Sequence, residues 1–485
     1  MLKDNRLAQA GYPEPRRPWL RLAAVAAALA VITAACGEPG APTQPPASKA
    51  EPTKPAATAA PQPTAAAKPT EPAQQKPQQA PAQIKGTTLN VLYGTWFVPA
   101  AEELFKQQLQ DWGKQAGVTV NYESIQWPQI QAKVTAAIAA GSGPDVIQFW
   151  GLWPHLYKDN IVDVSDIVDE MVKEQGKLYP SAETVCKVDG KYLAVPQSSA
   201  FPGMPNYRMS FVKEVGWDPD PAKMPATWED LRKLGTELKK AGYPLGHALG
   251  HSTSDPHIIP YKLMWDYGVW ETDETGKKVA FNVEEMTNVL DWFVGFWKDA
   301  FTDAGLSWDD TGNNRAFLTG QISWTFNGSS IYFAAKKDVP DVAEDMNHHA
   351  LPAGPKAKTA FATQTEHAIM KYSKNQQAAK EMIRYLVKKE NYQKWFDAQV
   401  SYLNGPTEFW GPKHPSWQQA DPKLRIFADF AQYVRMPGYM GPPNERAAEV
   451  FSKFIFVDMF AQAVSGQKTA KEAVQTAAEQ LKAIY

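Results

Sequence analysis

The chain has 485 residues, with 50 Lys and Arg against 52 Asp and Glu for a formal charge of −2, and only two cysteines. That balance leaves no basic footprint for nucleic acid or for an anionic membrane face. Two cysteines exclude a disulfide-rich scaffold, so the fold must stand on burial.

Arg16, Arg17 and Arg21 form a positive cluster, and an uncharged run follows from Leu22 to Ala35. A membrane-spanning helix needs about 20 apolar residues, so this shorter run predicts an export signal over residues 1–35 rather than a permanent anchor. Thr33-Ala34-Ala35-Cys36 sets a cysteine directly behind small residues, which marks Cys36 as a lipidation site. Residues 37–85 hold twelve of the 39 prolines and no aromatic residue. No core can be buried there to offset ordering entropy, so residues 36–86 are expected to be a tether.

The segment Thr88 to Tyr93 reads as a buried strand, and Leu104, Phe105, Leu109 and Trp112 give Glu102 to Gly113 a helical apolar face. A strand over Val118 to Ile125, a helix over Gln129 to Ala140 and a strand over Asp145 to Phe149 follow. This strand and helix alternation predicts a parallel α/β sheet. Ligands of such sheets gather at the carboxyl ends of the strands, and three successive ends present Trp96, Trp127 and Trp150.

Further on, Tyr192 to Pro196 reads as a short strand and Thr227 as the cap of a helix carrying Leu231, Leu234 and Leu238. Asp273 to Gly276 is expected to turn a hairpin joining Gly268–Glu271 to Val279–Phe281. Lys277 and Lys278 exclude a calcium loop there. Thr469 and Glu472 form a capping box at the start of a final amphipathic helix. Asp309 and Asp310 are expected to be solvated turn acids, His348 and His349 surface residues, and Cys186 an apolar packing residue. Gly250 to Ser254 comes near a nucleophile elbow but has Ser254 where glycine is required.

Several landmarks then occur in order: Ala139 to Val146 with its Gly-Ser-Gly-Pro-Asp core, Asp189 to Pro196, Pro225 to Leu231, Phe317 to Gln321, Leu351 to Pro355 and Ser373 to Ala379. Together they resemble the extracellular solute-binding proteins of ABC importers, in the maltose-binding class and lipoprotein form. The resemblance implies a two-lobe α/β fold, each lobe a mainly parallel sheet flanked by helices. Lobe 1 would comprise 87–197 and 366–402, and lobe 2 would comprise 203–360 and 407–485. It further implies a solute, a sugar or oligosaccharide, bound between the lobes and handed to transmembrane permease subunits. The receptor would be a monomer outside the cytoplasm, held to the membrane by its lipid, with no cofactor, no metal and no catalysis.

Carried over position by position, the binding residues implied are Trp96, Trp127, Gln148, Phe149 and Trp150 on the first lobe, and Gln197 and Ser198 on the first crossing. Tyr207, Asn327, Ser329, Ser330 and Glu366 complete the set. Aromatic faces beside Gln, Asn and Ser suit the apolar faces and hydroxyls of sugars. Alternatives are a peptide or polyamine receptor, a secreted hydrolase and a purely adhesive lipoprotein. A polyamine site calls for several convergent carboxylates beside the aromatic rings, and Glu366 alone falls short of that.

Overall fold

The strand Thr88–Gly94 is an inner strand of a five-stranded sheet, and Leu89, Val91, Leu92 and Tyr93 bury both of its faces. In this computed structural model, which describes residues 84–485, it pairs in parallel with Thr119–Ile125 on one side and Val146–Trp150 on the other. Thr365–Ile369 comes next, antiparallel to Val146–Trp150, and Val195–Pro196 closes the far edge. The helices Pro99–Ala116 and Trp127–Ala140 make the parallel connections, each opening with proline in its first turn and ending at a left-handed glycine, Gly117 and Gly141. The expected signal peptide, Cys36 and nearly all of the expected tether fall outside the described residues.

A second sheet has three strands in the order Trp324–Asn327, Met204–Arg208, Met346–His348, and both pairings are antiparallel. This differs from the mainly parallel sheet expected there. Met204–Arg208 arrives from the first sheet rather than through a helix within its own layer, so no crossover fixes its direction. Leu245 adds a single parallel bridge beside Trp324.

Three chain segments pass between the sheets side by side. Gln197 N–H donates to Thr365 O at 2.9 Å, Phe201 N–H to Thr363 O at 2.8 Å, and Ala200 and Asn404 form an antiparallel bridge. Hydrogen bonds thus tie the first of these segments to each of the other two at the junction of the sheets.

Local expectations hold where the signal is chemical. Thr227 accepts the Asp230 N–H and caps Trp228–Lys240, and the Thr469–Glu472 capping box opens Ala470–Ile484. Cys186 is fully buried, and burial pushes its thiol pKa well up. The expected hairpin is a turn with a single bridge, Thr272 to Val279, since Glu271 N–H donates instead to Tyr439 O at 3.0 Å. The Tyr192–Pro196 strand splits in two, Lys191–Tyr192 pairing with Lys187–Val188.

His348 and His349 are buried, not at the surface. His349 Nε2 accepts the Trp324 indole N–H at 2.9 Å, so the ring is neutral, with burial holding its pKa down to about 3. No helix among the described residues is long and apolar enough to cross a membrane.

Candidate functional site

Between the two sheets, at the joint, lies a narrow cleft with a cavity volume of about 50 Å³. The loops of the first sheet contribute Phe97, Trp127 and Trp150 to its wall, and the chain crossings contribute Phe201 and Tyr402. The opposite wall is polar: Asp255, Asp310, Asn314, Asn327 and Ser330. One face is therefore aromatic and the other hydrogen-bonding.

The aromatic wall is built by close packing. A Cβ on Gly94 would stand 2.1 Å from the Trp127 ring, so only glycine at that strand end lets the indole lie flat across the backbone. Trp127 in turn packs against Trp150 with ring centroids 4.3 Å apart, and Trp150 stacks on Phe201 at 5.2 Å and 23°. Tyr402 meets Phe201 edge-on at 5.1 Å. The Trp150 indole N–H reaches across to donate to Thr253 O at 3.1 Å, so this side chain spans the cleft.

The polar wall is organised around the start of the helix Asp255–Asp266. Asp310 Oδ1 accepts the backbone N–H groups of Asp255 at 2.8 Å and Ser254 at 3.3 Å, satisfying the helix's first free donors. Asp255 Oδ2 accepts the side-chain amides of Asn313 at 2.8 Å and Asn327 at 3.1 Å. Burial, then the negative charge of Asp310, hold the Asp255 carboxyl well above its ordinary pKa, and burial raises Asp310. Asp309 behaves as the turn acid expected, binding Thr311 N–H and Oγ1 at 2.9 and 2.7 Å. Asp310 instead turns into the cleft.

Of the twelve residues carried over by resemblance, Trp127, Trp150, Asn327 and Ser330 meet at this cleft. Trp96 stands behind the wall, edge-on to Trp395 at 5.3 Å and to Tyr402 at 6.3 Å. Gln148 bridges strand and crossing, its Oε1 accepting Gly94 N–H at 3.0 Å and its Nε2 donating to Gln197 Oε1 at 2.6 Å. Ser198 Oγ accepts the Thr365 N–H at 3.0 Å. These residues position the joint rather than line the cleft.

Phe149 points to the other side of the sheet, against Trp153 and Tyr157, because neighbouring residues of a strand face opposite ways. Tyr207 donates to Pro219 O at 2.6 Å inside the second sheet's core. Ser329 is fully buried and does not line the cleft. Glu366 is fully buried with neither carboxyl oxygen hydrogen-bonded among the described residues, and burial raises its pKa well above the usual carboxylate range.

The sequence gives little sign of Phe97, Phe201, Asp255, Asp310, Asn314 or Tyr402 as site residues. Only Ser254-Asp255-Pro256, a helix start with proline in the first turn, was open to reading. Among the described residues no group of three or more His, Cys, Asp and Glu is placed to hold a metal. His251 Nε2 is 2.6 Å from Asp458 and stacks on Phe454, engaged away from Ser254, so the Gly250 to Ser254 segment assembles no nucleophile and base pair.

The family model of the bacterial extracellular solute-binding proteins matches residues 107–424. The chain belongs to this family. A protein of Deinococcus radiodurans described as "Probable ABC transporter-binding protein" is 24% identical over 319 residues, 61% of this chain and 71% of its own. Maltose-bound MalE3 of T. maritima superposes with a TM-score of 0.70 at 19% identity, covering 82% of this chain and 100% of that one. A sugar transporter from Arthrobacter chlorophenolicus A6 with bound laminaribiose gives the same TM-score at 16% identity, covering 82% and 99%. The fold of this chain is thus the two-lobe fold of extracellular solute-binding proteins, and its members are binding proteins rather than enzymes.

Proposed function

We propose that this chain is a lipid-anchored receptor outside the cytoplasm that closes on a carbohydrate and delivers it to an ABC importer, without catalysis. One observation carries the reading: aromatic rings from one sheet face carboxyl, amide and hydroxyl groups from the other across a single cleft at the joint. Stacking faces opposed to fixed hydrogen-bonding groups are what a pyranose ring requires. Solved relatives carrying maltose and laminaribiose support the same class of solute.

We assign residues 87–197 and 366–402 to the first lobe, and 203–360 and 407–485 to the second, with the hydrogen-bonded crossings as the hinge. A solute touching both walls binds the closed form better than the open one, and that differential affinity shifts the population. Spin labels placed on the exposed positions Ala136 and Lys337 of the full chain should approach one another when a bound sugar saturates it. Distances that do not change under saturation would leave a rigid adhesin as the better reading.

Anchoring follows from Cys36 behind Thr33-Ala34-Ala35 and from the proline-rich stretch beyond it, which keeps the receptor near its permease at high local concentration. Mass spectrometry of membrane-extracted protein should find an amino-terminal diacylglyceryl cysteine at position 36. A mature form cut elsewhere with Cys36 unmodified would refute the anchor and leave the binding reading intact.

A further inference from the structure

The cleft walls carry two carboxyl groups, Asp255 and Asp310, and no Lys, Arg or His side chain. Both are held by uncharged donors only. Asp310 takes two backbone N–H groups and, at 3.4 Å, the Thr253 hydroxyl. Asp255, only 8% exposed, takes two side-chain amides on Oδ2, and its Oδ1 accepts no hydrogen bond from any described residue. A carboxylate more than nine-tenths buried therefore lines the cleft with one oxygen unpartnered.

Two such groups at the start of one helix repel one another when both are ionised, and burial removes the water that would screen them. A positive charge placed between them relieves both costs. The opposite wall is compatible with the same charge, since the aromatic rings of Trp127, Trp150 and Phe201 line it and an aromatic face attracts a cation. A neutral polyol would gain hydrogen bonds at Asp255 but would bring no positive charge to either carboxyl.

We propose that the solute carries a protonated amine, seated between the Asp255 and Asp310 carboxylates and against the aromatic wall. The inference rests on the reading of this cleft as the solute site. It also meets the requirement that Glu366 alone could not: convergent carboxylates beside aromatic rings. An amino sugar and a polyamine share this chemistry, and the test separates them.

Calorimetric titration of the full chain would use D-glucosamine, fully deacetylated chitobiose, putrescine and spermidine at a pH where the amines are protonated. Glucose, diacetylchitobiose and maltose serve as the neutral set. At least one ammonium-bearing compound should bind about a hundredfold or more tighter than the neutral set, the scale of a desolvated charge pair. Asp255→Asn, close to isosteric, should erase that preference while the thermal midpoint shows the protein folded. Raising the salt concentration on the unaltered protein should weaken ammonium binding and leave neutral binding unmoved, a readout independent of any variant.

Binding by the chitobiose or glucosamine arm alone identifies an amino sugar. Binding by the putrescine or spermidine arm alone supports the cation site and overturns the carbohydrate reading. Neutral sugars binding as tightly as their amines, or no ammonium-bearing compound binding at all, overturns the inference. A neutral sugar that closes the lobes would at the same time leave the receptor function standing.

Discussion

Trp150→Ala is expected to weaken solute binding on the order of ten- to hundredfold, from about 1.5–3 kcal/mol of lost apolar contact at roughly 1.4 kcal/mol per tenfold. Trp150 is placed to do two things at once. It supplies the flat face stacked at 5.2 Å on Phe201 and packed on Trp127, and it donates across the cleft to Thr253 O. Trp150→Phe separates the two roles, keeping a ring and losing the N–H. Its effect should be smaller, within about tenfold, because one neutral hydrogen bond contributes about 1 kcal/mol net. Trp96, behind the wall at Phe201 and Tyr402, is the contrasting position: Trp96→Phe should change affinity less than Trp150→Ala. Calorimetry with the tightest ligand of the amine and sugar series measures all three. Unchanged affinity in Trp150→Ala would remove this residue from the site and with it the aromatic wall as a binding surface.

The first lobe's sheet was legible because its signals are local. Thr88–Gly94, Thr119–Ile125 and Val146–Trp150 are short apolar or alternating runs separated by helices with proline starts and glycine ends. The strand ends followed from that topology, and with them Trp127 and Trp150. Which side of a strand faces the cleft did not follow so easily: Phe149 and Trp150 are neighbours, and only one of them reaches it.

The polar wall was illegible for a different reason. Asp255 and Asp310 are separated by 54 intervening residues and meet only because Asp310 binds the first turn of the Asp255–Asp266 helix. Read singly, Asp309-Asp310 is a turn and Ser254-Asp255-Pro256 is a helix start. Nothing in either stretch says that the helix begins at a cleft. The buried histidines show the same limit, since His349 is fixed by Trp324 on another strand of the sheet.

The far end of that helix carries the strongest stability prediction. Lys262 and Asp266 are both fully buried, one helical turn apart, with Nζ 2.7 Å from Oδ2. The remaining ammonium donors go to Pro352 O at 2.8 Å and Thr359 O at 2.7 Å. Asp266 also accepts the Trp228 indole N–H at 2.8 Å and, through Oδ1, the Thr359 N–H and hydroxyl, each at 2.7 Å. Every charge is matched, so the pair offsets a large desolvation cost only while it is whole. Lys262→Met fits the volume but strands the Asp266 carboxylate and two carbonyls, at a cost of about 3–5 kcal/mol. Denaturant titration should show the loss as a lower midpoint; a change under about 1 kcal/mol would mean that water reaches the stranded carboxylate. Adding Asp266→Leu to Lys262→Met should recover part of the loss and not all of it, because Thr359, Pro352 and Trp228 still lack their partners. The consequence reaches the cleft. Thr359 stands at the head of the segment that returns through Thr363 to the first sheet, so this buried pair ties the helix bearing Asp255 to that crossing. Lys262→Met protein that remains folded should therefore bind solute more weakly, although the substitution touches no cleft residue.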